Sequence, residues 1–149
     1  MSDVKTAPWI FRRVLNPIVR FIVGPLGIKV RGGYLLTVVG RKSGQPRSVP
    51  INPMTFNGKR YLVAPRGQTE WVKNLRVAGT GELRSGSRRE RFTATEIDDA
   101  EKPPILREYL NHWYLETGSV FDVPKDATLE DLAKIASRHP VFEIRPATR

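Results

Sequence analysis

A chain of 149 residues with 40% hydrophobic content can bury one core and is too short for two ordinary domains. Cysteine is absent, which excludes disulfide frameworks, thiolate metal sites and cysteine nucleophiles and gives no sign of export. The net charge of +10 is unevenly spread, with twelve Lys/Arg against three acids between Arg41 and Arg91, then seven against eleven from Phe92 onward. A basic middle of this kind suits a polyanion, whether nucleic acid, a membrane surface or a multiply charged small ligand.

Residues 7–24 are apolar but interrupted by Arg12, Arg13, Arg20 and Pro17. A membrane-spanning helix needs about 20 mainly apolar residues, and a signal peptide needs an unbroken apolar stretch, so neither is expected. The segment 1–30 reads as an amphipathic helical piece that packs on its own domain or lies on an anionic membrane. Residues 31–149 read as the domain proper.

The β-branched run Tyr34–Val39 is expected to be a strand buried on both faces. A polar turn, Gly40 to Pro46, leads to a second strand over Arg47–Phe56, whose prolines Pro50 and Pro53 mark it as an edge or bulged strand. Asn57-Gly58 accepts the positive φ angles of a two-residue turn, so a third strand from Lys59 to Ala64 pairs antiparallel with the second. Thr69 can cap a short helix carrying Trp71, Val72 and Leu75 on one face and ending by Gly79. Strands Thr80–Arg84 and Arg89–Ile97 form a second hairpin about Ser85-Gly86-Ser87. Pro103-Pro104 suits the first turn of a helix with the apolar stripe Leu106, Tyr109, Leu110, Trp113 and Tyr114, stopping at Gly118. Thr128 to Asp131 resembles a capping box before a helix through Leu132, Ile135 and Ala136. A strand over Val141–Ile144 ends the order, which describes an α+β domain, mainly antiparallel, built round a small barrel with flanking helices.

Chemistry is narrowed mainly by exclusion. His112 and His139 stand in no metal-ligand spacing, so they read as surface or core histidines. G-x-x-x-x-G-K-[ST], G-x-G-x-x-G and G-x-S-x-G are all missing. What remains is Arg41-Lys42-Ser43-Gly44-Gln45-Pro46-Arg47: three cations, a hydroxyl and a glycine that leaves backbone amides approachable, which is the chemistry of an anion site. Charge and spacing alone equally allow a solvated hairpin turn.

The stretch from Leu35 to Arg47 resembles the signature of the deazaflavin-dependent nitroreductases, also called F420H2-dependent quinone reductases. Tyr61 to Gly67 is similar to that family's third strand and following loop, and Trp71-Val72-Lys73-Asn74-Leu75 to its W-x-x-N-L helix. The likeness covers residues 34–97 well, and the loop before Trp71 is shorter here than in nitro-activating members. It implies a split β-barrel of the FMN-binding kind holding coenzyme F420, a deazaflavin with a phosphodiester and a polyglutamate tail. By resemblance Arg41, Lys42, Ser43 and Arg47 contact the phosphate and carboxylates, aided by Gly44. Ser48, Val49 and Pro50 line the coenzyme, Ala64, Pro65, Arg66 and Gly67 edge the ring, and Trp71, Val72, Lys73 and Asn74 close the site.

The expected reaction is hydride transfer from reduced F420 to a quinone, enone or nitro compound, with the coenzyme carrying the chemistry and no metal needed. Tyr109 or Tyr114 is the candidate proton donor, against a reading of both as core aromatics. Alternatives are an FMN-dependent enzyme on the same barrel and a non-catalytic carrier of F420, haem or a fatty acid. Nucleic-acid binding has only the basic stripe in its favour and is not expected. A cytoplasmic monomer or homodimer is expected, with peripheral attachment to the inner face of the cell membrane left open by the amino-terminal segment.

Overall fold

The computed structural model describes residues 33–147, apart from the side chains at 115, 116, 118 and 119. The expectation for the segment 1–30, including membrane contact, lies outside the described residues. Seven strands, β1 (Tyr34–Val39), β2 (Pro46–Ile51), β3 (Met54–Phe56), β4 (Lys59–Val63), β5 (Thr80–Ser85), β6 (Arg88–Glu96) and β7 (Val141–Pro146), form one antiparallel sheet in the order β2-β1-β5-β6-β7-β4-β3. Its two edge strands, β2 and β3, are consecutive in the chain and joined by Asn52 and Pro53 alone. Three peptide steps span at most about 11 Å, so the sheet must roll until its edges nearly meet. No ladder joins the two edges, which makes the barrel a split one. An Arg60–Glu90 ion pair reaches from β4 to β6 across β7.

The single strand expected over Arg47–Phe56 is therefore two. Pro46–Ile51 pairs with β1, and only Met54–Phe56 pairs with β4 through the Asn57-Gly58 turn, whose residues have φ of 53° and 77°. Pro53, which has no N–H to donate, stands at the break, and both pieces are edges, as Pro50 and Pro53 led the sequence reading to expect.

Alternation along β4 separates two cores. Leu62 points into the barrel with Leu36, Val38, Leu83, Phe92, Phe142 and Ile144, while Tyr61 and Val63 point outward. Helix α1 (Glu70–Ala78) roofs the barrel with Val72 and Leu75 and ends at Gly79 in the left-handed conformation. Thr69 stands at its N-cap, but its side chain makes no capping hydrogen bond, contrary to the sequence expectation, and its Oγ1 is buried without a hydrogen-bond partner among the described residues.

The outer core is covered by α2 (Lys102–Phe121) and α3 (Leu129–Ile135). Pro103-Pro104 does open α2, but the helix runs past the expected stop at Gly118 to Phe121 and breaks at Asp122, φ 58°. Burial of Phe121 outweighs the local stop signal. At Trp113 the helix kinks, and Thr117 Oγ1 donates to the Trp113 carbonyl at 2.8 Å, a side-chain bond that bends helices.

The capping box is present as read: Asp131 N donates to Thr128 Oγ1 and Thr128 N to Asp131 Oδ2, both at 3.1 Å. These bonds hold the Asp131 carboxyl below its usual range. Thr128→Ala is expected to cost about 1 kcal/mol in chemical denaturation.

Candidate functional site

The Gly40–Pro46 turn is closed by its own backbone: Gly40 N donates to Gln45 O at 2.8 Å and Gly44 N to Gly40 O at 2.9 Å. Gly44 has φ 72°, a conformation that side chains disfavour, and Gln45 N donates to Ser43 Oγ at 3.1 Å. The turn is then tied to α1. Arg41 N donates to Asn74 Oδ1 at 3.0 Å, and Arg41 Nη1 donates to the same oxygen at 2.7 Å and to Glu70 Oε1 at 2.9 Å. Glu70 and Asn74 lie four residues apart, hence on one helix face, and Asn74 is only 4% exposed. The hydrogen bond and charge of Arg41 hold the Glu70 carboxyl below its usual range, with Lys73 and Lys42 adding to the effect.

Three expected cations therefore divide into two roles. Arg41 is the anchor, its Nη1 bonded to both Asn74 and Glu70. Lys42 and Arg47 are exposed, and neither forms an ion pair among the described residues. Among the remaining expected contacts, Ser43, Gly44 and Pro50 are exposed, whereas Ser48 and Val49 are half-buried on β2. The Ser48 hydroxyl is 2.8 Å from that of Thr37, and Val49 packs against the barrel core.

The loop from Ala64 to Thr69 leads directly into α1, so it lies on the same side as the basic turn. Ala64 is buried, Pro65 and Gly67 are half-buried, and Arg66 is exposed. Arg76 secures this loop and β6 together, donating from Nη1 to Gln68 at 3.0 Å and from Nε and Nη2 to Glu96 at 2.7 Å each. Within the W-x-x-N-L helix, Trp71 is half-buried and tilted on Phe142 with ring centroids 6.0 Å apart, Val72 is in the barrel core, and Lys73 is exposed. Asn74 acts on the turn rather than presenting an open amide. The sequence hint to this was the Glu70–Asn74 spacing; the roles of Arg76 and Gln68 carried no such hint.

Tyr109 and Tyr114 lie elsewhere, in the outer core beyond β4. Tyr109 is 3% exposed and its ring is tilted on Phe121, while the Tyr114 hydroxyl donates to the Val123 carbonyl at 3.1 Å. His112 is exposed beside Glu108, and His139 is buried. No cluster of three or more His, Cys, Asp or Glu that could hold a metal occurs among the described residues, nor does a helix long and apolar enough to cross a membrane.

A second polar row crosses the outward face of β2, β1 and β5, where Ser48, Thr37 and Glu82 are in register. Glu82 is 8% exposed and its Oε1 has no hydrogen-bond partner among the described residues. Burial raises its pKa from the ordinary carboxylate value, partly opposed by Arg89, Arg91 and Arg84. A raised folded-state pKa means stability is lost as pH rises from the ordinary carboxylate value through the folded one. Glu82→Gln should thus stabilise the protein at pH 7.5 by about 1 kcal/mol, roughly 3 °C in Tm, with the gain shrinking toward pH 5 in thermal melts.

A rolled antiparallel sheet with open edges and a basic turn anchored to a helix defines a split-barrel protein. The F420H(2)-dependent quinone reductase model matches residues 10–117, and the chain belongs to that family. No curated protein matches it. Among solved structures it is similar to an F420-H2-dependent reductase (FDR-A), at 24% identity over 75% of this chain and 92% of the other, TM-score 0.50. A structure described as a domain-swapped dimer has 24% identity over 75% of this chain and 78% of the other, TM-score 0.51. A Listeria innocua protein assigned as a pyridoxamine 5'-phosphate oxidase has 12% identity over 77% and 83%, TM-score 0.52. These likenesses bear out the split-barrel fold.

Proposed function

We propose that this protein is an oxidoreductase that uses reduced coenzyme F420 to reduce an electron-poor acceptor of the quinone, enone or nitro class. The observation that carries the reading is the fixed turn with two unneutralised cations. Asn74 and Glu70 take up Arg41, and Lys42 and Arg47 are left to meet an anion from a rigid base. A phosphodiester and a chain of carboxylates suit these donors, since charge-assisted bonds from Arg and Lys are the stronger class. The exposed Arg66 extends positive charge toward the loop that would edge the ring.

When bound, the coenzyme supplies a hydride at its deazaflavin ring. This chain's residues bind the tail through Lys42, Arg47 and Ser43, hold the ring against the Ala64–Gly67 backbone and Trp71, and keep water from that face with the apolar barrel end. Tyr109 and Tyr114 support the outer core in this reading, and Tyr114→Phe is expected to leave turnover unchanged.

Titration of the purified protein with F420 and with FMN, followed by oxidation of reduced F420 against a panel of quinones, enones and nitroaromatics, tests the proposal. Binding of F420 with turnover of at least one acceptor is expected. Tight FMN binding without F420 binding would overturn it, and F420 binding with no turnover across the panel would replace the enzyme by a carrier.

A further inference from the structure

Where the basic turn meets α1, one guanidinium nitrogen serves two acceptors of different kinds. Asn74 is 4% exposed, and its Oδ1 accepts from Arg41 N at 3.0 Å as well as from Arg41 Nη1 at 2.7 Å. Glu70 Oε1 reaches the same Nη1 at 2.9 Å from a side chain that is 76% exposed, against 19% for that of Arg41. Asn74 therefore fixes where the guanidinium stands, and Glu70 adds a carboxylate from the solvent side.

The two acceptors are unequally hard to replace. Removing Asn74 orphans a backbone N–H together with a guanidinium N–H. Releasing Glu70 breaks one exposed ion pair, a class of interaction that contributes little and weakens with salt. A released Glu70 is not stranded, because it lies in the first turn of α1, where negative charge is favoured, and Lys73 follows three residues later on the same face. The hydrogen bond and charge of Arg41, then Lys73 and Lys42, hold the Glu70 carboxyl below its usual range, so an anion already lies among these cations at neutral pH. A carboxylate or phosphate brought in by a ligand on Lys42 and Arg47 would meet the same cations in its place.

We propose that Glu70 is an exchangeable internal carboxylate, occupying on Arg41 the place that an anionic group of the bound ligand takes. Once Glu70 is displaced, Arg41 is still held by Asn74 and becomes the third cation of the site. A ligand with one anionic group is satisfied by Lys42 and Arg47 and leaves the Arg41–Glu70 pair intact, so the exchange favours tails that carry several charges. The identity of that tail as the one on F420 rests on the reading above; the exchange itself concerns any polyanion at the turn.

Glu70→Gln keeps the side-chain length and removes the charge. It should bind F420 about three- to fivefold more tightly than wild type at low salt, with the gain fading as salt rises. A deazaflavin lacking the phosphate and glutamates should bind both proteins alike, and Tm should hardly move. In an Arg41→Gln background, where the side chain can still donate to Asn74, Glu70→Gln should bring little of that gain. Equal or weaker F420 binding by Glu70→Gln would overturn the proposal, since Glu70 would then play no part or would orient Arg41 for the ligand. A full gain in the Arg41→Gln background, or an equal gain for the tail-less deazaflavin, would overturn it as well. If F420 binds neither protein, the coenzyme reading falls and pyrophosphate decides the exchange. In NMR titrations the Arg41 Nε–H signal should then shift at a lower pyrophosphate concentration in Glu70→Gln than in wild type, and no difference between the two would refute the exchange.

Discussion

The double variant Lys42→Ala, Arg47→Ala should lose about a hundredfold in F420 affinity, or roughly 2.7 kcal/mol. Each cation can contribute a charge-assisted bond of about 1.5–3 kcal/mol, and their exposure places the pair at the low end. The loss should be greater at low salt, because screening weakens the wild-type interaction and leaves the variant little to lose. Fold stability should be unchanged, since neither side chain has an ion-pair partner among the described residues. Arg41→Ala should behave differently. Removing it leaves Asn74 Oδ1 without the 2.7 Å side-chain bond and Glu70 without its partner, so both the melting temperature and the affinity should fall. Isothermal titration beside thermal melts separates the two patterns. Unchanged affinity in the Lys42/Arg47 variant would show that the turn is an ordinary charged hairpin.

Gly81→Ala is expected to destabilise the protein by about 2–3 kcal/mol, although it adds one methyl group. The reason is the barrel's interior. A Cβ at Gly81 would come within 2.7 Å of Phe92 Cζ and 3.1 Å of the Thr37 carbonyl, and Phe92 is 0% exposed at the register position opposite. The ring is packed in a core shared with Leu83, Phe142 and Ile144, and close-packed interiors resist such a shift. Phe92→Leu should itself cost stability, by about 1–2 kcal/mol, through lost packing. In that background Gly81→Ala should cost far less, giving a coupling energy of about 1–2 kcal/mol in a double-mutant cycle by urea denaturation. Additive effects would mean that the Thr37 backbone, not the Phe92 ring, sets the constraint.

Legibility from sequence followed the range of the interaction. The β-branched run at Tyr34–Val39, the Asn57-Gly58 turn and the Gly79 stop all appeared where expected. The Arg47–Phe56 segment did not, because one strand and two strands split at Pro53 have the same local pattern; only the partners, β1 for one half and β4 for the other, distinguish them. Thr69 was misread for a related reason. Its residue type and extended backbone suit an N-cap, yet its Oγ1 is buried away from the helix amides.

The same division runs through the candidate site. By itself the sequence determined a basic turn of a given length between two strands, a helix to follow, the capping box at Thr128 and membership of an F420H(2)-dependent quinone reductase family. These depend on φ preferences, on hydrogen bonds three or four residues long and on motif spacing. Only the tertiary structure decided that Arg41 anchors the turn while Lys42 and Arg47 face outward, and that Asn74 grips a backbone amide 33 residues away. Those choices were made by a sheet that had to roll to bring β2 and β3 together, since burial and partner identity are set by which distant segments share a face.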